Sequence, residues 1–567
     1  MEKPWLKFYD EGVPATIDYP DKPLYWTLEE AARKYPDNTA TIFMGAKLTY
    51  RELNDLADKF AAALADLGVK KGDRVSVHLP NCPQFVIAYY GALKAGAMVV
   101  PTNPLYVERE IEHQLNDSGA ETIVTLTKFY PVVRRVKEKT KLKNIIVTNI
   151  KEYFPPLIKL LFTLFKEKKE GHRPPIPEEP GTYFFQDLMA KYPPAPPEVE
   201  IEPEEDLALL QYTGGTTGVP KGAMLTHKNM LVNAIQVRHW MTGLEEGKEV
   251  LLAVLPFFHV YGMTVCMNMP IYLGAAMVLL PQFKVKEVLE AINKYKPTLF
   301  PGVATMYVAI NNYPEVHKYD ISSIKACIAG AMPLPYEVWT KFEEITGGKL
   351  VEGYGLTEAS PVTHCNPIYG RRKPCIGIPL PDTEARIVDL ETGEKELPVG
   401  EIGELAVRGP QVMSGYWNMP EETEMVLKPD GWLLTGDIAK MDEDGYFYIV
   451  DRKKDMIICG GYNVYPREVE EVLKQHPKIL EVAVAGIPDP YRGETVKAWI
   501  VLKPGETATE EEIIEWSKQR LAKYKYPRYV EFRDELPKTF VGKTLRRMLV
   551  AEERARMAEA PSKEEGV

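Results

Sequence analysis

From Arg74 the chain reads RVSVHL, turns at Pro80-Asn81, continues as PQFVIAYYGALKAG and returns as AMVVPTNP. The outer runs are short, apolar and β-branched, while the middle run repeats its apolar residues with a period near that of a helix, so the order is strand, helix, strand. Strands joined through a helix run parallel, and a parallel sheet needs cover on both faces. ETIVTL (121–126) and NIIVTNI (144–150) extend the series; EVLLAVLP (249–256), AAMVLLP (275–281) and PTLFPGV (297–303) restart it. The pattern predicts an α/β protein whose large N-terminal domain consists of stacked α/β lobes. At 567 residues, such units exceed what one core can hold.

Later segments change character. Residues 402–450 are strand-rich with many glycine turns, which predicts a distorted β subdomain. After Asp451, DRKKDMIICGGYNVYPREVEEVLKQHP opens a helix, and EVAVAGIPD and ETVKAWIVLKPG follow as strands. The expected division is an N-terminal domain over 1–453, a small α+β domain over 454–551 and a flexible charged tail over 552–567. Residues 155–203 form a Pro-rich excursion around LIKLLFTLF (157–165), followed by Lys166, Lys168 and Lys169. Two readings stand for it: a surface loop with one docked helix, or an amphipathic helix that touches lipid.

Charge and cysteines remove other classes. Net charge is −11, which disfavours a basic surface tracking nucleic acid. Six scattered cysteines without a CxxC pair disfavour a disulfide framework or a structural zinc. No apolar run approaches the length of a membrane span, and the opening residues lack a signal-peptide pattern, so a cytoplasmic protein is expected.

The densest chemical signal is Tyr212-Thr213-Gly214-Gly215-Thr216-Thr217-Gly218-Val219-Pro220-Lys221-Gly222, directly after the apolar strand DLALLQ. Its backbone N–H groups, threonine hydroxyls and one lysine suit phosphate oxygens. The loop departs from a Walker A motif because Pro220 precedes Lys221 and Gly222 follows it.

YTGGTTGVPKGAMLTH (212–227) resembles the signature of the adenylate-forming superfamily, which includes acyl-CoA synthetases, firefly luciferase and peptide-synthetase adenylation domains. LPFFHVYG (255–262), AGAMP (329–333), EGYGLTE (352–358), GWLLTGD (431–437), DRKKDMIICGGYNVYPREVE (451–470) and PKTFVGKTLRR (537–547) follow in the superfamily's order. The resemblance spans nearly the whole chain. It implies a carboxylic acid activated by ATP to acyl-AMP, then transfer of the acyl group to a thiol, with a C-terminal domain that rotates between the two steps. It makes Lys543 the lysine that meets the carboxylate and α-phosphate, and Glu358, with Thr357 and Thr213, the holder of Mg²⁺. ATP would be bound by Thr213, Gly214, Gly215, Thr216, Thr217, Gly218 and Lys221, and by Gly330, Ala331, Glu352, Gly353, Tyr354 and Gly355. Asp437 would take the ribose hydroxyls and Arg452 the ribose or phosphate side. Lys454 falls at the hinge, and Gly460, Gly461 and Tyr462 would line the coenzyme A channel. The acyl pocket would comprise His259, Tyr261, Gly302, Ala304 and Gly330, with His259 as a gate.

The pocket segments Ala359–Thr363 and PGVATMY (301–307) carry no Asp or Arg to pair with a charged substituent, so an apolar acid is expected. With no carrier-protein serine motif in the chain, coenzyme A is the expected acceptor. The sequence resembles microbial medium- or long-chain fatty acyl-CoA ligases. The rivals are an aromatic CoA ligase of coumarate or benzoate type, a luciferase-like oxygenase, and an adenylate-binding protein without turnover. A homodimer and a peripheral membrane contact are both compatible with this reading.

Overall fold

The computed structural model describes residues 3–213, 220–459, 462–489, 492–538 and 544–559. It is the mixed α/β protein that the strand–helix–strand pattern predicts. Two compact units emerge, one from the chain up to Glu384 with Arg408–Leu433, the other from Ala385–Val407 with Leu434 onward.

Among the described residues the first unit holds three sheets. The largest has eight strands in the order Gly415–Tyr416, Lys221–Thr226, Leu207–Thr213, Met98–Pro101, Arg74–His78, Thr122–Leu126, Asn144–Thr148 and Thr182–Phe184. From Leu207–Thr213 to Thr182–Phe184 every pairing is parallel; the two strands at the other end are antiparallel. Val75, Val77, Ile123, Val124, Ile145 and Ile146 are wholly buried, as strands covered on both faces require. Thr182–Phe184 and the following helix Phe185–Lys191, which buries Phe185, build the end of the Pro-rich stretch into the body of this lobe.

Val250–Ala253 and Ala276–Leu279 pair in parallel beside Thr39–Phe43, as their apolar runs predict. PTLFPGV behaves differently: only Gly302–Val303 is strand, and Leu299 makes isolated bridges to Leu251 and Ala326. Pro297 and Pro301 lack the N–H that a continuous ladder needs. A third sheet runs Gly302–Val303, Ala326–Gly330, Lys349–Gly355, Val362–Cys365, Ile378–Pro379.

The second unit contains a four-stranded sheet, Glu384–Val388, Gly403–Arg408, Leu433–Met441 and Phe447–Arg452. Its other sheet orders Tyr462–Val464, Ile457–Cys459, Gly493–Leu502 and Ile479–Asp489, with Tyr529–Phe532 on Gly493–Leu502. Contacts thus group 434–453, which the sequence division gives to the N-terminal domain, with the residues that follow. The tail expected from Glu552 is also corrected over 552–559: the helix Arg546–Glu559 continues through it. Its charges pair rather than dissolve, with Glu552 on Arg533, Glu553 on the buried Lys497 and Arg556 on Glu531.

All six cysteines are buried. Burial pushes the Cys82 thiol up to about 12 and raises Cys266, Cys327, Cys365 and Cys459 as well. Among the described residues, no helix is long and apolar enough to cross a membrane.

Histidines set a pH limit. Burial pushes His78 and His227 down to about 4 and His364 to about 3, so the fold holds these imidazoles neutral. The unfolded chain takes up protons below about pH 6.5 while the folded chain does not, so stability falls as pH drops from about 6.5 towards 4. Melting followed by tryptophan fluorescence should show a lower midpoint at pH 5 than at pH 7, and equal midpoints would contradict these neutral histidines.

Candidate active site

Leu207–Thr213 and Lys221–Thr226 form an antiparallel hairpin whose register sets Thr213 opposite Lys221. Gly214, Gly215, Thr216, Thr217 and Gly218 lie outside the described residues; the pairing at Thr213 and Lys221 fixes where their loop starts and stops. Thr226 then caps the helix His227–Trp240: its hydroxyl accepts the Asn229 N–H, and the Asn229 side chain accepts the Thr226 N–H. Lys221 therefore opens a strand that precedes this helix, whereas in a Walker A motif the lysine lies at the start of a helix.

Gly415–Tyr416 pairs with Ala223–Met224 on the outer edge of this hairpin. That pairing places the Tyr416 ring 5.1 Å from Lys221 Nζ, and Lys221 pairs with Glu422. Tyr416 Oη donates to Glu358 Oε1 at 2.7 Å, while the Glu358 carbonyl accepts the Met413 N–H at 2.8 Å. Burial, followed by the adjacent Glu358 carboxylate, raises the Tyr416 pKa, so its hydroxyl remains a donor. One connected group thus joins the loop's lysine to Glu358.

Gly302–Val303, Ala326–Gly330 and Lys349–Glu352 are parallel, and their carboxyl ends align, with Gly302 beside Ala329 and Ala329 beside Glu352. Ligands of open α/β sheets gather at such ends. Ala331 follows with φ 66°, turning the backbone away at the strand end. Tyr261 Oη donates to the carbonyls of Ile328 at 2.8 Å and Gly302 at 3.2 Å. A Cβ on Gly330 would stand 2.8 Å from the Tyr261 ring. Tyr261, Gly302 and Gly330 therefore meet, and Ala304 is buried at the start of the next helix. Tyr354 is half-buried, with its ring edge-on to its cross-strand neighbour His364 at 5.8 Å. At Gly355 a Cβ would lie 2.0 Å from the Pro361 carbonyl oxygen, so close backbone packing demands glycine there. Gly353 similarly faces Ile328.

Thr357 and Glu358 occupy a short 3₁₀ turn ending at Ser360, whose carbonyl accepts from Thr264 Oγ1 at 2.7 Å. Thr264 opens a π-helical turn, Thr264–Asn268, continuous with the helix Val260–Met263 that His259 caps through Nδ1. The half-buried His259 is surrounded by enough protein to push its pKa down to about 4. It is neutral near pH 7.

In the second unit, Asp437 and Arg452 are cross-strand partners joined at 2.8 Å, with Asp437 buried. Glu404, also buried, accepts from the Gly436 N–H at 3.0 Å and pairs with Lys453 at 2.8 Å, tying the turn before Asp437 to the residue before Lys454. Lys454 is exposed at its surface, but the protein packed around it first, then Arg452 and Arg547, lower its pKa against the pull of Asp455 and Asp437. Gly460, Gly461 and Lys543 lie outside the described residues. The flanks of Lys543 are clasped, since Lys538 bridges Thr544 and the Leu545 N–H donates to Pro537. Arg546 then binds Glu470 at 2.8 Å and Asp455 at 3.0 Å. Glu470, Asp451 and Asp455 raise its pKa despite burial. Tyr462 is exposed and stacks on Tyr524 at 4.7 Å.

Each unit therefore gathers its own share of the expected residues. Sequence reasoning missed Tyr416, Glu422, Glu404 and Arg546. Only the cluster GYWNMPEE (415–422), with its aromatic pair beside acids, hinted at the first two. Among the described residues no group of three or more His, Cys, Asp or Glu could hold a metal. A lone Glu358 beside Thr357 suits a hard cation that brings phosphate and water ligands with it.

The AMP-binding enzyme family matches residues 28–417, and the AMP-binding enzyme C-terminal domain matches 468–543. A long-chain-fatty-acid–CoA ligase of Bacillus subtilis (strain 168) is 52% identical over 554 residues, covering 97% of this chain and 98% of its own. The crystal structure of ATP-bound MatB from Rhodopseudomonas palustris superposes with a TM-score of 0.82 at 29% identity, covering 94% of this chain and 99% of its own. The anthranilate CoA ligase AuaEII, in complex with anthranoyl-AMP, gives 0.80 at 29%, covering 95% and 98%.

Tyr416→Phe keeps the ring over Lys221 and removes the donor to Glu358. A hydrogen bond to a charged group contributes about 1.5–3 kcal/mol, so if Glu358 holds Mg²⁺ as its motif implies, pyrophosphate release should need roughly tenfold or more additional Mg²⁺–ATP for half-maximal rate. An unchanged dependence would show that Glu358 is held without Tyr416.

Proposed function

Since the chain belongs to the AMP-binding enzyme family, we propose that it is an AMP-forming fatty acid–CoA ligase acting on long-chain acids. A carboxylate oxygen attacks the α-phosphorus of ATP, the bond to the β-phosphate breaks, and acyl-AMP and pyrophosphate form. The sulfur of coenzyme A, having lost its proton, then attacks the acyl carbon, and AMP leaves.

The observation that carries this reading is the Glu358–Tyr416–Lys221 group at the base of the glycine–threonine loop. Lys221 supplies a point charge for phosphate and would exchange Glu422 for it. Glu358, with its orientation fixed by Tyr416, would hold Mg²⁺, with Thr357 and Thr213 adding hydroxyls. Bound there, the cation neutralises charge on the phosphates. Gly330, Ala331, Glu352, Gly353, Tyr354 and Gly355 are assigned to the nucleotide. Asp437 is assigned to the ribose, with Arg452 beside it. Lys543 neutralises charge between carboxylate and α-phosphate, Lys454 serves as hinge, and Gly460, Gly461 and Tyr462 line the pantetheine path.

The substrate assignment is supported by the name of the Bacillus subtilis relative and by the acyl-side residues. Tyr261 spends its hydroxyl on backbone carbonyls and so presents a ring, and Gly302, Ala304 and Gly330 add no polar side chain. His259, neutral near pH 7, adds no positive charge to attract a second carboxylate.

A panel of acids from C2 to C18 with benzoates and cinnamates, read as AMP release dependent on ATP and coenzyme A, tests the assignment. Each CH₂ buried is worth about 0.8 kcal/mol, so kcat/KM should climb roughly three- to fourfold per carbon until the pocket is filled. A maximum on a benzoate or cinnamate would overturn the aliphatic reading.

Lys543→Ala separates the two steps. Adenylation should fall by roughly 10²–10³, the scale of losing one preorganised charge-stabilising group, while supplied acyl-AMP and coenzyme A still give thioester. Equal losses in both half-reactions would remove Lys543 from its proposed role.

A further inference from the structure

The Pro156–Phe165 helix is attached by one side only. Phe162 is buried between Phe154 and His172, at ring distances of 5.5 and 5.7 Å. At the helix end, the buried Glu167 pairs with Lys151 at 2.6 Å and accepts from Asn149 at 2.9 Å; Lys151 also donates to Thr163 at 3.0 Å. Lys159 pairs with Glu152 at 2.6 Å. These contacts fix the helix and leave its other face outward.

That face is apolar. Leu157, Leu160, Leu161, Leu164 and Phe165 follow the i, i+3, i+4, i+7, i+8 spacing of a single helical stripe and are 46–71% exposed. A contiguous exposed apolar stripe on a folded protein marks an interaction surface. Lys166, Lys168, Lys169 and Arg173 are exposed just beyond its C-terminal end, against one exposed acid within the span 166–173, Glu170.

We propose that this face is a docking surface for an anionic lipid bilayer, the helix lying in the plane of the interface. Charge complementarity selects this occupant: a row of basic residues beside an apolar stripe matches negative headgroups above acyl chains. The stripe lacks Trp, Tyr and Arg, the usual anchors of a protein partner. A second copy is a poor fit as well, since one ten-residue helix offers far less than the roughly 20–30 residues a side of a stable dimer. The inference concerns a surface and stands whatever acid the chain activates. If the substrate is a long-chain acid, docking brings the enzyme to the phase into which that acid partitions.

The test uses the full chain with sedimented vesicles of phosphatidylcholine containing phosphatidylglycerol, or of phosphatidylcholine alone. The wild type should co-sediment with the anionic vesicles and lose much of that binding at high salt. Leu160→Gln with Leu164→Gln replaces two exposed side chains, so the melting temperature should hold while the partition coefficient drops at least about tenfold. Lys166→Gln, Lys168→Gln and Lys169→Gln together should lower anionic-vesicle binding roughly a hundredfold at low salt. Turnover of a short, soluble acid should be unchanged in both variants. The proposal fails if the wild type ignores anionic vesicles or if the leucine variant binds them as well as the wild type. It also fails if that variant changes the sedimentation coefficient of the free protein, which would make the face a contact between copies.

Discussion

The antiparallel pairing of Leu207–Thr213 with Lys221–Thr226 is the constraint on which the candidate site of the first unit depends. Up to Leu207 the sheet adds parallel strands, each supported by a helical crossover. At Lys221 the direction reverses, and the reversal exposes an edge on which Gly415–Tyr416 can pair. A hairpin needs so few connecting residues that the ends of the glycine–threonine loop are held in register by backbone hydrogen bonds alone. Tyr416 arrives through that same pairing, and with it the link between Lys221 and Glu358. Sheet register thus fixes the ends of the loop, a task that falls to a helix N-terminus in helix-linked phosphate loops.

The same logic explains what could be read from the amino-acid sequence. Parallel strands buried on both faces leave long apolar runs, and the runs at 74–79, 121–126, 144–150, 249–256 and 275–281 all became strands. The loop residues and Glu358 lie within contiguous motifs, so they could be singled out without coordinates. Tyr416 and Glu422 were not, because their partners are 58 and 201 residues away. Arg546 belongs to the last motif, yet its partners Asp455 and Glu470 are 91 and 76 residues earlier. Prolines explain why 297–303 yields only a fragment of strand. The terminal helix was missed because pairing of its charges with Arg533, Lys497 and Glu531 cannot be inferred from a charged composition.

Within the second unit, two buried carboxylates, Glu404 and Glu470, form the cores of two anchors. Glu404 joins Lys453 to the turn that precedes Asp437, and Arg546 joins the segment after Lys543 to Asp455 and Glu470. Removing the cation beside a buried carboxylate leaves an uncompensated charge and is costly. Lys454 lies between Lys453 and Asp455, the residues these anchors grip. The residues on either side of the proposed hinge are therefore each held by an ion pair.

The burial of the cysteines has a chemical consequence. An acyl-adenylate is an electrophile that any thiolate can intercept, and the thiolate is the reactive form of a cysteine. Cys327 lies on the strand that ends at Gly330, and Cys365 pairs with Gly353, so both border the residues assigned to acid and nucleotide. Burial raises the pKa of each above the ordinary thiol range. Both thiols are buried and held in the protonated form near pH 7, which withholds them from such an intermediate.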